Sequence, residues 1–164
     1  FDDSPVPLRR VQDDPRLFAS AGGFVLLSST GWGESENDRL IKALRDDPRP
    51  LIVANPDLVA PREDGLTLEP GHFAEGIAEA TGLPPRFFGK PHRNAFDAAL
   101  ARLGGIERSR IAMVGDTLHT DVLGGAAAGL KTVLITDHGL FRGRDVGPYI
   151  TRSGIVPDWI VPTT

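Results

Sequence analysis

The sequence contains no cysteine among its 164 residues. Without a thiol, the chain cannot form a disulfide, use a thiolate as a nucleophile or bind a metal through sulfur. Thiol proteases, zinc ribbons and iron–sulfur proteins are therefore excluded. A chain without cysteine also fits the reducing cytoplasm, where we expect this protein to be located.

Long apolar runs and a strong charge of either sign are also missing. No run approaches the ~18 residues that a membrane-spanning helix needs. The 18 basic and 22 acidic residues leave a formal net charge of −4, so no large basic surface is available for nucleic acid or anionic lipid. We therefore expect neither nucleic acid nor a membrane as partner. The apolar and charged fractions, 40% and 24%, are typical of a folded globular protein.

The apolar residues that are present predict alternating strands and helices. The predicted strands are 24–29, 51–54, 86–88, 111–115, 132–136 and 157–161. The predicted helices are 36–46, 72–81, 91–103, with Pro91 at the first helical position, and 120–129, with Thr120 as its cap. A loop rich in proline, glycine and acidic residues is predicted to run from 58 to Gly71. This alternation predicts an α/β fold with right-handed crossovers and a parallel sheet.

Ligands of such sheets bind beyond the carboxyl ends of the strands, where Lys90, Asp116 and Asp137 fall. Asp116 follows a strand, and Asp121 comes five residues later near a predicted helix N-terminus, where the helix dipole favours a carboxylate. Two such acids can supply oxygen ligands to Mg²⁺, which keeps most of its waters. The alternative is that Asp121 only caps the helix and Asp116 only ends a strand.

Lys90 stands out because the chain has 15 arginines and only 3 lysines. It lies between a glycine that ends a strand and Pro91. A compact ammonium there can hold a phosphate oxygen and neutralise a carboxylate. A solvated loop lysine is the alternative.

Several other polar or aromatic residues could take part in chemistry. On position alone Asp137 could be a nucleophile; the family resemblance described below implies instead that its loop forms part of the pocket wall. His119 could be a general base beside Asp116 or an ordinary loop histidine. The sequence places His72 and His92 at helix starts, as surface residues. Trp32 could line either a surface of the chain or a contact between two copies of it, and the sequence does not distinguish the two.

The motifs in combination resemble a known family. Gly89-Lys90-Pro91 and the run Gly-Asp-Thr-Leu-His-Thr-Asp at 115–121 look like the third and fourth motifs of the haloacid dehalogenase (HAD) superfamily. The segment Asn55-Pro56-Asp57 resembles its class IIA branch, the NagD-like and p-nitrophenyl phosphatase-like enzymes with a C2 cap. The resemblance covers residues 50–162. It implies a C2-type α/β cap, in part, over 1–84 and the C-terminal half of a Rossmann-like hydrolase core over 85–164.

The resemblance also implies a function, that of a Mg²⁺-dependent phosphomonoester hydrolase acting on a small phosphorylated metabolite through an aspartyl-phosphate. Lys90 would steady nucleophile and phosphate, and Asp116 and Asp121 would ligate Mg²⁺ or orient its waters. Asn55 and Asp57 would be cap residues that bind the substrate and select the leaving group. Relatives often pair through their caps, so a homodimer is compatible with the resemblance.

The first motif of the family, an apolar strand ending in Asp-x-Asp, has no match in this sequence. Asp2-Asp3 has no strand before it, and Asp13-Asp14 is followed by proline. We therefore expect a piece of a longer protein that lacks the nucleophile strand and is inactive alone. The alternative function is a non-catalytic relative that binds a phosphorylated metabolite or a partner. A receiver-type phosphoacceptor domain is disfavoured, because its acidic pair should precede the lysine.

Overall fold

The computed structural model describes residues 5–62 and 65–164. Residues 1–4 of the predicted cap, with the Asp2-Asp3 pair, and Glu63 and Asp64 of the predicted loop lie outside the described residues. The described chain is a mixed α/β structure with two parallel sheets and one antiparallel hairpin. The predicted α/β class with parallel strands is therefore confirmed.

Strands and helices alternate along most of the described chain. The strands are β1 (Phe24–Leu26), β2 (Leu51–Val53), β3 (Val59–Arg62), β4 (Gly65–Leu68), β5 (Arg86–Phe87), β6 (Ala112–Gly115), β7 (Lys131–Ile135) and β8 (Trp159–Val161). The α-helices are α1 (Leu17–Ser20), α2 (Glu34–Asp46), α3 (Pro70–Thr81), α4 (Arg93–Arg102), α5 (Leu123–Ala127) and α6 (Gly147–Ser153).

The first parallel sheet has the strand order β1-β2-β5. Its apolar residues pack with α2 and α3, whose inward faces carry leucine and isoleucine at helical spacing. Leu40, Leu44, Val53 and Ile77 are fully buried there and form the centre of the first core. The sheet therefore presents the carboxyl ends of β2 and β5, which lead to 54–57 and to Lys90, at one edge.

The second parallel sheet has the strand order β6-β7-β8. Its core is a separate cluster around Leu118, Val122 and Leu134, covered by Phe141 and Val146 from the segment that follows β7. The carboxyl end of β6 leads directly into Asp116. Lys90 and Asp116 thus follow strands of two different sheets, and the predicted single sheet edge is wrong.

The predicted loop from 58 to Gly71 is also wrong over most of its length. β3 and β4 pair antiparallel, with Val59 opposite Leu68 and Arg62 opposite Gly65. Pro61 within β3 made a strand improbable from sequence, because proline cannot donate to a ladder. A two-stranded hairpin tolerates it, since each strand has one free edge.

The other boundaries differ by small amounts. α4 begins at Arg93, not at Pro91, and the Lys90–Pro91 peptide bond is cis. The predicted helix cap at Thr120 is wrong, because a wide turn over Leu118–Val122 precedes α5. The short helices α1 and α6 were not predicted. In residues 5–62 and 65–164, we find no helix with the length and apolar character to span a membrane.

Removing side-chain volume from the first core tests how much it stabilises the fold. Leu40→Ala should lower the free energy of unfolding by about 2–5 kcal/mol, because Leu40 is fully buried and the change leaves a cavity. The control, Ile106→Ala, removes an exposed side chain and should change it by less than about 0.5 kcal/mol. Urea unfolding measures both, and equal losses would contradict the assigned core.

Candidate active site

Asp121 is a buried carboxylate at the end of β6. The turn over Leu118–Val122 brings it back beneath the strand, where it is only 2% exposed. Its Oδ2 accepts hydrogen bonds from the backbone N–H groups of Asp116 and Thr117, both at 3.1 Å. Asp121 therefore fixes the backbone that carries Asp116. It does so from within the turn and not as a helix cap, which was the alternative interpretation of Asp121.

Lys90 completes the partners of Asp121. Its Nζ donates to Asp121 Oδ1 at 2.6 Å. The lysine side chain is 47% exposed, so the ion pair has one buried and one accessible member. Because Lys90 follows β5 and Asp121 follows β6, this contact joins the carboxyl ends of the two parallel sheets.

Two glycines allow the acidic side chains to lie close to the backbone. A Cβ at Gly115 would lie 2.2 Å from Asp121 Cγ, and one at Gly139 would lie 1.4 Å from Asp116 Oδ2. Both distances are far below van der Waals contact, so each carboxylate occupies the space that a larger residue would fill. Asp116 thereby lies against the segment that begins at Gly139.

Asn55 and Asp57 follow β2 and form a compact turn. Asn55 Oδ1 accepts from the Asp57 N–H at 3.1 Å, while its Nδ2 donates to Glu69 at 3.3 Å. Burial raises the pKa of Asp57, Lys90 opposes this rise, and the charge of Asp121 adds to it. Asp57 therefore lies within electrostatic range of the Lys90–Asp121 pair. Both ends of the Asn55 side chain are used to hold the turn.

Glu69 is a residue that sequence reasoning missed. It is 4% exposed and accepts hydrogen bonds from Arg62 at 2.9 Å and from the Thr67 hydroxyl at 3.1 Å, besides Asn55. It thus links the hairpin to the 55–57 turn. Its position just before Pro70, at the start of α3, could have been interpreted as a simple cap.

The other residues considered from sequence form no hydrogen bond with Lys90, Asp116 or Asp121 among the described contacts. Asp137 and His119 are exposed, and His119 lines the cavity that also contains Thr117. His92 stacks on Phe87 with ring centroids 5.2 Å apart. Trp32 packs against the first core, with its ring centroid 6.3 Å from that of Phe18, and its Nε1 donates to Asn37. Much of the indole therefore contacts other residues of this chain. His72 lies edge-on to its neighbour Phe73.

The oxygen atoms of this centre fit Mg²⁺ chemically. From the described part of the chain, Asp116 accepts a single weak hydrogen bond, from the Thr117 hydroxyl at 3.3 Å, which leaves most of its carboxylate available to a cation. Asp121 already accepts three, so only Oδ1 retains capacity. No group of three or more acidic or histidine side chains suited to a metal occurs in the described ranges. One or two carboxylates are nevertheless enough for Mg²⁺, which retains several waters.

The contact between Gly139 and Asp116 can be tested with a matched pair of glycines. Gly139 and Gly143 have similar left-handed φ values, +66° and +71°, but only Gly139 has atoms within 4 Å of an added Cβ. Alanine at either position strains the backbone by about 1–2 kcal/mol. Gly139→Ala should lower the free energy of unfolding by about 1 kcal/mol more than Gly143→Ala does, since Asp116 must move. Equal losses in urea unfolding would contradict the contact.

The raised pKa of Asp57 predicts a pH-dependent stability. A carboxyl group with a raised pKa in the folded state binds its proton more tightly there, so its ionisation destabilises the fold as the pH rises above its ordinary value of 3.8. With a chelator present, Asp57→Asn should be more stable than the wild type by up to about 1 kcal/mol at pH 7, discounted for partial exposure. The difference should shrink towards pH 4. Asp38→Asn, in an exposed position on α2, should show no such trend.

Comparisons with known proteins agree with this geometry. Residues 87–162 match the HAD-hydrolase-like family. The fold is similar to that of a p-nitrophenyl phosphatase from Archaeoglobus fulgidus, with a TM-score of 0.74 and 29% identity over 89% of this chain and 55% of that one. It is also similar to a HAD-superfamily protein from Cytophaga hutchinsonii described as a "possible sugar phosphatase", with a TM-score of 0.76 and 34% identity over 92% of this chain and 54% of that one.

Among curated proteins, the chain is 38% identical over 83 residues to an acid sugar phosphatase of Staphylococcus aureus. The match covers 51% of this chain and 32% of that protein. The chain thus spans about half the length of the similar solved structures, and its match spans about a third of the curated relative. The family match, the shared fold and the sequence identity confirm the resemblance of this chain to the HAD superfamily that the motifs indicated.

Proposed function

We propose that the protein carrying this chain is a Mg²⁺-dependent phosphomonoester hydrolase that acts on a small phosphorylated metabolite through an aspartyl-phosphate. The observation that carries the proposal is the convergence of Lys90 and Asp121 beside Asp116 at the carboxyl ends of two sheets. The phosphatase names of the similar proteins support the same reaction class. The nucleophile is not among the residues assigned here.

Lys90 is suited to hold the phosphate. An ammonium has three donors, and Asp121 takes one of them at 2.6 Å. Because the side chain is half exposed, the other donors are available to a phosphate oxygen and to a nucleophilic carboxylate. The pairing with a buried acid also fixes the direction of the flexible lysine chain, so less rotamer freedom is lost when the phosphate binds.

Asp116 and Asp121 are the proposed metal-binding acids, and their roles differ. Asp116 offers a largely free carboxylate, while Asp121 chiefly positions Asp116 and Lys90 and offers Oδ1 as a further oxygen ligand. Mg²⁺, when bound, supplies positive charge to the phosphoryl oxygens, which is the main requirement of phosphoryl transfer.

Asp57 and Asn55 are proposed to act on the leaving group. Asp57 has the electrostatic proximity to Lys90 that a group facing the substrate needs. Asn55 contributes by holding the turn on which Asp57 lies. The cytoplasmic location, the homodimer and the division at 84/85 into cap and core stay predictions.

Substitution of the proposed phosphate-binding residues tests the function. In the protein expressed from its complete gene, Lys90→Ala and Asp116→Ala should each lower kcat for p-nitrophenyl phosphate with Mg²⁺ by roughly 10²–10³-fold. Lys90→Ala removes a positive charge that stabilises the transition state, whereas Asp116→Ala removes an anionic ligand of Mg²⁺. Lys42→Ala is the matched control, since Lys42 is exposed and pairs with Asp46 on the surface of α2. It should leave kcat unchanged.

The same assay distinguishes the proposed hydrolase from the alternative, a non-catalytic binding protein. A wild-type protein that binds phosphate esters without hydrolysing them, at any Mg²⁺ concentration, would be a non-catalytic binding relative. Full activity in Asp116→Ala would show instead that the metal-binding acids are assigned wrongly.

A further inference from the structure

A cavity of about 620 Å³ opens directly beside the candidate site. Thr117 and Gly139 form the wall shared with the site, and Gly139 is the residue against which Asp116 lies. The hairpin contributes the opposite wall through Arg62 and Leu66. The volume suits a small organic molecule. An ester whose phosphate is held at Lys90 and Asp116 can therefore extend into this cavity.

The described lining of the cavity is positively charged. Within residues 5–62 and 65–164 it includes four arginines, Arg62, Arg142, Arg144 and Arg152, and no aspartate or glutamate. Arg62 pairs with Glu69, and no carboxylate of these described ranges forms an ion pair with the other three. A chain with a formal net charge of −4 thus brings several arginines together at one place. Such a cavity attracts an anion.

Tyr149 holds two of these arginines in position. Arg144 donates to the Tyr149 hydroxyl at 3.3 Å, and the Arg152 guanidinium lies 5.6 Å from the centre of the Tyr149 ring. The ring itself packs on the buried Phe141 at 5.3 Å. Two guanidinium groups are therefore arranged around one anchored aromatic ring before any ligand binds. Guanidinium groups recognise carboxylate and phosphate through paired N–H donors.

We infer that this cavity binds a second anionic group of the substrate, a carboxylate or a second phosphate, while the reacting phosphate lies at Lys90. The inference rests on the proposed function and narrows it to phosphomonoesters that carry a further negative charge. Leu66 and Leu140 leave room for an apolar or neutral spacer between the two anions.

Three aryl esters with one ring test this preference. Phenyl phosphate has no second anion, 4-carboxyphenyl phosphate has a carboxylate, and 1,4-phenylene bisphosphate has a second phosphate. At low ionic strength, kcat/KM should be at least about tenfold higher for one or both of the esters with a second anionic group than for phenyl phosphate. The advantage should fall as salt is added, because the arginines are exposed and screened. The ester that gains identifies the anion as carboxylate or phosphate.

Substitutions then locate the effect. We expect the ratio of kcat/KM between esters with two anionic groups and phenyl phosphate to fall in the single variants Arg142→Gln, Arg144→Gln and Arg152→Gln. The triple variant should bring this ratio close to one. Arg39→Gln is the matched control, because Arg39 is an exposed helix arginine remote from the cavity lining. It should leave the ratio unchanged. A wild-type ratio of one, or a ratio that survives the triple substitution, would overturn the inference.

A separate measurement distinguishes failure of this inference from failure of the proposed function. If none of the esters is hydrolysed, the proposed function fails, and calorimetric titration with 1,4-phenylene bisphosphate then tests the cavity alone. Binding that weakens about tenfold in the triple variant supports an anion site. Hydrolysis of phenyl phosphate without any preference for esters with a second anionic group would support the proposed phosphatase function and contradict the inferred anion site. If the triple variant does not fold, the single variants decide.

Discussion

The carboxylate of Asp121 is the constraint on which the candidate site depends. Burying a charge costs several kcal/mol unless hydrogen bonds and an opposite charge compensate it. Here the compensation comes from both parallel sheets: Lys90 follows the first, while the N–H groups of Asp116 and Thr117 follow the second. A relative movement of the two sheet edges would separate this buried carboxylate from Lys90, the cation that balances its charge. The placement of Lys90 and Asp116 is therefore set by the solvation of Asp121.

The backbone around this carboxylate has to be free of side chains. Gly115 and Gly139 leave the space that the carboxyl groups of Asp121 and Asp116 occupy. The hairpin side of the molecule is held by the comparable carboxylate of Glu69, which connects Arg62 with Asn55. The site is thus bordered by two buried acids, each of which accepts hydrogen bonds both from nearby residues and from a donor farther along the chain, Lys90 for Asp121 and Asn55 for Glu69.

Periodicity in the sequence was sufficient to predict the strands of both parallel sheets and the helices α2 to α5, and the motif residues Lys90, Asp116 and Asp121 were predicted as neighbours. What periodicity cannot show is which strands share a sheet, and so the two-sheet arrangement was missed. The hairpin was missed because β3 contains Pro61 and β4 is exposed throughout, which removes the alternating pattern of a half-buried strand. Glu69 was missed because its partners Arg62 and Thr67 belong to the unpredicted hairpin and its contact with Asn55 joins separate segments.

Charge is distributed unevenly across the candidate site, and this distribution sets the direction in which a substrate can lie. Asp57, Asp116 and Asp121 surround a single lysine, so the described residues alone present a net negative field to a phosphate. The phosphate position therefore requires positive charge beyond Lys90, which is consistent with an acid pair that binds a divalent cation. The neighbouring cavity has the opposite imbalance, with four arginines and no acid among its described lining residues. This field favours a molecule with an anionic group at each end when one end lies beside the proposed metal-binding acids and the other among the arginines.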